Sequence, residues 1–85
     1  MAEKKKQLDV LDIWKLRIHN ESHHGDLKEA VRRSGKTDVT YYTGMKKAKI
    51  EDLTDREFEV ISAYIEILDE RKEKLEKVKR QYANG

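Results

Sequence analysis

Thr54-Asp-Arg-Glu57-Phe-Glu-Val-Ile-Ser-Ala-Tyr-Ile-Glu-Ile-Leu68 is the stretch whose reading decides the fold. A threonine three residues ahead of a glutamate is a capping box. The Thr54 hydroxyl can accept a first-turn amide while Glu57 reaches back to the Thr54 backbone. Asp55 and Glu57 also put negative charge where the helix dipole favours it. After the cap, Phe58, Val60, Ile61, Ala63, Tyr64, Ile65, Ile67 and Leu68 leave only a stripe of Glu59, Ser62 and Glu66 for solvent. The spacing predicts a helix packed on more than one side. Beyond Asp69 the apolar set thins to Leu75, Val78 and Tyr82, and Glu70/Lys74, Glu73/Lys77 and Glu76/Arg80 fall at i, i+4 in the favourable order. In heptads, Ile61, Tyr64, Leu68, Arg71, Leu75, Val78 and Tyr82 form one seam with a single polar interruption. One helix is therefore expected from Thr54 to about Tyr82, with a core half followed by a charged extension able to form a coiled coil.

Upstream, the seams of the chain are readable because proline is absent and glycine falls only at Gly25, Gly35, Gly44 and Gly85. From Leu8 to Ile18, Leu11, Trp14 and Ile18 recur at the i, i+3, i+7 spacing of a helix face. Trp14, Leu16 and Ile18 also alternate with Lys15, Arg17 and His19 as a half-buried strand would, and the helix is the favoured of the two readings. Asp26 reads as an N-cap with Glu29 completing a capping box, opening a short helix that ends at Ser34-Gly35. Thr37 caps again, and Asp38 to Lys46 is a third helix whose Tyr41 and Met45 are expected to face the core. Within it Thr40 and Thr43 lower helix propensity and Gly44 costs about 1 kcal/mol against alanine, so it needs tertiary support.

The chain has 85 residues, 42% of them charged and 36% hydrophobic. That is the size of one small domain with a modest core. No apolar run approaches the roughly 18 to 20 residues that cross a bilayer. Met-Ala-Glu-Lys-Lys-Lys lacks the apolar stretch of a secretory signal and there is no cysteine, so a cytoplasmic, membrane-free location is expected. The net charge of +2 is unevenly placed. Residues 26–50 carry Lys28, Arg32, Arg33, Lys36, Lys46, Lys47 and Lys49 against Asp26, Glu29 and Asp38, a local +4. Residues 51–70 carry eight acids against Arg56, a local −7. The middle of the chain suits a polyanion and the segment after it repels one.

Two short helices joined by a tight glycine turn, the second rich in hydroxyl, aromatic and basic residues, are the parts of a DNA-reading helix-turn-helix. The stretch Asp26-Leu-Lys-Glu-Ala-Val-Arg-Arg-Ser-Gly-Lys-Thr-Asp-Val-Thr-Tyr-Tyr-Thr-Gly-Met-Lys-Lys47 resembles the Cro/repressor-like helix-turn-helix proteins of phage and bacteria. There a glycine ends the positioning helix, as Gly35 does here, and a Ser/Thr-x-x-Thr segment opens the recognition helix, as in Thr37-Asp-Val-Thr40. The chain departs from that pattern at Val31, where alanine is usual, and at Tyr41 and Gly44, where small apolar residues are usual. The resemblance implies a small transcriptional regulator of phage or mobile-element type that binds double-stranded DNA. It implies base contacts from Thr37, Asp38, Val39, Tyr42, Thr43 and Lys46. Lys36, Lys47 and Lys49, together with Lys4, Lys5 and Lys6, would meet phosphate. Two-fold operator reading calls for a homodimer, and Leu68, Leu75, Val78 and Tyr82 form the seam expected to make it.

Other chemistries lack their parts. His19 and His23 have the i, i+4 spacing of a ligand pair, but no cysteine and few carboxylates stand near them, so no metal is expected. Ser22 and Ser34 have no arranged base and no glycine-rich phosphate loop occurs, so no enzyme, cofactor or small-molecule substrate is expected. The expected fold is all-α: a disordered basic N-terminus over 1–7, a helix-turn-helix bundle over 8–68 and a charged helical extension over 69–85. The competing functional reading is a protein-interaction module that docks on a partner through its long C-terminal helix.

Overall fold

A single 29-residue helix, α4 (Asp55–Ala83), is the spine of the protein. The computed structural model describes residues 8–83; the lysine-rich N-terminus, with Lys4, Lys5 and Lys6, lies outside them. Ahead of the spine come α1 (Val10–Glu21), α2 (Asp26–Ser34), α3 (Asp38–Met45) and a 3-10 turn at Ile50–Asp52. Each of α1, α2 and α3 packs against α4, and α2 also touches α3. Among the described residues there is no strand, so the alternation from Trp14 to His19 is that of a helix with some apolar side chains left facing out.

The capping box that opens α4 forms as its residues require. The Thr54 amide donates to the Glu57 carboxylate at 2.9 Å, and the Glu57 amide donates to Thr54 Oγ1 at 3.2 Å. Val60, Ile61, Ala63, Tyr64, Ile65, Ile67 and Leu68 are buried, whereas Phe58 stays half-exposed against Trp14, ring centroids 5.8 Å apart. Leu11 and Ile18 of α1, Ala30 of α2 and Tyr41 of α3 complete the buried set. Tyr41 stacks on Tyr64 at 5.5 Å, and the Tyr64 hydroxyl shares a 2.7 Å hydrogen bond with Ser22 Oγ at the end of α1. No helix among the described residues is long and apolar enough to cross a membrane.

Two helix starts differ from the sequence reading. Asp9 caps α1: its carboxylate accepts the Leu11 amide at 2.9 Å, and Asp12 accepts the Asp9 amide at 3.1 Å. Asp9 also accepts the Ile50 amide at 2.7 Å, which fastens the α3–α4 connection to the start of α1. At α2 the N-cap is Gly25, at φ +94°, and Asp26 is the first helical residue. The reason is that the Asp26 carboxylate is drawn elsewhere, to the His23 amide at 2.7 Å and across the fold to Arg71 at 2.6 Å. Glu29 likewise pairs with Arg32 and Arg33 instead of closing a box. On α4, Glu70 bonds to Arg33 of α2 at 2.9 and 3.0 Å instead of pairing with Lys74.

Candidate nucleic-acid interface

The element that could read a partner is α3, held at both ends and from behind. Val31 and Gly35 close α2 through a 2.9 Å backbone bond, with Gly35 at φ +72°, the left-handed conformation that a glycine C-cap supplies. Two residues later the Thr37 hydroxyl accepts the Thr40 amide at 3.2 Å and starts α3. The far end is capped from α1, where Lys15 Nζ donates to the Lys47 carbonyl at 2.6 Å.

Behind α3 the contact with α4 is close because Gly44 carries no side chain. A Cβ there would stand 2.8 Å from Ile61 Cδ1 and 3.0 Å from Glu57 Cβ. The propensity lost at Gly44 is thus the cost of a tight helix crossing. Beside it, the buried Glu57 carboxylate collects three donors: the Thr54 amide, Thr43 Oγ1 at 2.8 Å and Lys47 Nζ at 2.9 Å. Those bonds, the backbone one foremost, outweigh burial and hold the Glu57 carboxyl near 2, down from an ordinary 4.5. A carboxylate with a depressed folded-state pKa contributes stability above its unfolded pKa and loses it as pH falls through the folded one. The protein is therefore expected to lose stability progressively between about pH 4.5 and 2. Urea melts across that window should show this, and Glu57→Gln should flatten the dependence.

Burial orders the outward residues of α3. Tyr41 is buried and Met45 partly buried against the core, as the spacing predicts, and Gly44 is buried beside them. Burial also pushes the Tyr41 phenol up to about 12, helped by Tyr64 and Tyr42, so it stays neutral. Val39 is 64% exposed and Tyr42 54%, the latter edge-on to Tyr41 at 5.1 Å. Thr37, Asp38, Thr43 and Lys46 are exposed as well, so all six expected base-contacting residues are at the surface. They are not equally free. Thr37 is occupied as a cap, and Thr43 donates to Glu57 and to the Thr40 carbonyl.

The expected phosphate contacts divide in the same way. Lys47 is held by Glu57, and Lys36 pairs with Glu59 at 3.3 Å. Part of the acidic stretch that follows α3 is thereby neutralised by lysines on or beside that helix. Lys46 and Lys49 enter no ion pair among the described residues. An open groove of about 530 Å³ runs along the α2–α3 turn between Leu27, Val31, Lys28 and Lys36. His19, His23 and His24 are exposed, and among the described residues no group of three His, Asp or Glu side chains lies close enough to hold a metal ion.

No family model, curated protein or solved structure matches this chain. The functional reading therefore rests on the chemistry of α3 and α4 alone.

Of the expected dimer seam, Leu68 is fully buried in the core of its own chain. Leu75, Val78 and Tyr82 are 53%, 46% and 82% exposed, so the uncovered part of the seam begins after Arg71. What sequence reasoning missed is the pair of cross-fold carboxylates, Asp26 and Glu57. The Asp9/Asp12 cap, by contrast, carries a signal in its own spacing.

Proposed function

We propose that the protein reads double-stranded DNA as a small transcriptional regulator of the Cro/repressor-like helix-turn-helix kind, of phage or mobile-element type. The helix α3 enters the major groove. The observation that carries this reading is the division of α3 into a braced inner side and a chemically varied outer one. A recognition helix must be held rigidly while its outer side chains remain unspent. Tyr41, Gly44 and the Glu57 bonds brace it from behind. Asp38, Val39, Tyr42 and Lys46 offer an acceptor, an apolar contact, a hydroxyl-bearing ring and a cation to base edges. Thr37 and Thr43 play a supporting part, because their hydroxyls already serve α3 itself. Lys49 and Lys28 supply charge toward phosphate, with Lys36 and Lys47 contributing from their paired positions.

Fluorescence anisotropy on a mixed-sequence duplex pool, run as a salt series, tests the proposal. Affinity is expected to fall steeply with salt, and Lys49→Ala to reduce the slope by about one. Tyr42→Ala should weaken binding to a selected site by about tenfold while helical content is kept. Thr43 is a poor target for such a test, since its loss also frees a Glu57 oxygen. Affinity indifferent to salt, or unchanged in the Tyr42→Ala/Lys46→Ala protein, would overturn the reading.

A further inference from the structure

The stripe of α4 that carries Ile61, Tyr64 and Leu68 is covered by the chain's own helices and then abruptly loses its cover. Arg71 marks the boundary: it reaches sideways to the Asp26 carboxylate at 2.6 Å and the Glu21 carbonyl at 3.1 Å. Past it the same stripe continues as Leu75, Val78 and Tyr82, all exposed. A shallow groove of about 310 Å³, walled by Glu21, His23, Leu68, Arg71, Lys72 and Leu75, leads into it.

The residues beside the stripe choose its occupant. With Leu75 and Tyr82 at heptad position a and Val78 at d, the flanking e positions are Lys72 and Lys79 and the g positions are Lys74 and Gln81. The acids of this segment, Asp69, Glu70, Glu73 and Glu76, fall at b, c and f, away from the seam. Asp69 and Glu70 are in addition bonded to Arg17 and Arg33. A second copy is disfavoured in either orientation. In a parallel pair Lys74 meets Lys79 of the partner helix; in an antiparallel pair Lys72 meets Lys79 along the e flank, and Lys74 faces only the uncharged Gln81 along the other. Phosphate would satisfy the lysines and leave three apolar side chains wet.

We propose that the uncovered half of α4 docks an acidic amphipathic helix of another protein, with apolar residues at a and d and carboxylates at the flanking positions. The apolar stripe supplies the seat and Lys72, Lys74 and Lys79 select the partner by charge. This surface is independent of the outward side of α3, so the proposal does not depend on DNA reading.

The test uses the full chain and three labelled synthetic helices with leucine at a and d and glutamate, glutamine or lysine at e and g. Anisotropy should show the glutamate helix bound about tenfold or more tighter than the glutamine helix, and the lysine helix weakest. Lys72→Glu/Lys74→Glu/Lys79→Glu should invert that order. Leu75→Asp/Val78→Asp should abolish binding of all three, with circular dichroism unchanged because both sites are exposed. Equal binding of the three helices, or binding of none, would overturn the proposal. So would sedimentation equilibrium showing a dimer of the chain alone that Leu75→Asp dissolves, which would make the occupant a second copy. Loss of duplex affinity in the lysine reversal, with no effect of the apolar double variant on any probe, would make the occupant nucleic acid.

Discussion

Arg71→Ala is expected to lower the unfolding free energy by about 2–3 kcal/mol, enough to move the melting temperature by roughly 10 °C or more in a chain of this size. Arg71 is the only side-chain donor bonded to the buried Asp26 carboxylate among the described residues, and it also holds the Glu21 carbonyl at the end of α1. Removing it leaves Asp26 with the His23 amide alone, in a place where a charge is poorly solvated. Burial by itself raises the Asp26 pKa, and it is the Arg71 and His23 bonds that bring it below the ordinary value. Thermal and urea melts of the single variant, set beside Asp26→Asn/Arg71→Met, separate a lost attraction from a stranded charge. The double variant should recover part of the loss. A single variant within about 0.5 kcal/mol of the parent would refute the assignment, since that is the range of an ordinary surface change.

The second large effect is expected at Gly44. Gly44→Val should destabilise by about 2–3 kcal/mol, because the new side chain must enter a crossing where even a Cβ meets Ile61 and Glu57 too closely. Ile61 is itself fully buried and has little room to yield. Gly44→Ala is milder, since alanine regains about 1 kcal/mol of helix propensity against the same crowding. The valine variant also pushes α3 off α4 at the point where Thr43 and Lys47 bond to Glu57, so duplex affinity should fall together with stability. Chemical denaturation and the anisotropy assay on one preparation check both. A valine protein as stable as the parent would show that the crossing has room for a side chain at this position.

The parts of the fold legible in the sequence are those written within a single turn of chain. Thr54 and Glu57 announce α4, Gly35 and Thr37 bound the turn between α2 and α3, and Leu11, Trp14 and Ile18 mark the inner face of α1. Asp26 and Glu29 carry the same local signature as a capping box, yet the structure uses them differently. The winning partner of Asp26 is Arg71, 45 residues away, and no local pattern weighs that bond. Lys36 and Lys47 read as free cations for the same reason, although Glu59 and Glu57 on another helix hold them. Gly44 shows the converse: a residue that local propensity marks as a defect is what lets two helices approach.

The unbroken course of α4 has a consequence in terms of phase. Glu57, which fastens α3, and Val78, in the uncovered stripe, lie on one rod about 31 Å apart along the axis. A rod fixes direction as well as distance: each residue between them adds about 1.5 Å of rise and 100° of rotation. Whatever seats on Val78 therefore has its azimuth relative to α3 set by the number of intervening residues. One residue inserted after Arg71 would turn that seat by more than a quarter circle while leaving every contact of the bundle in place.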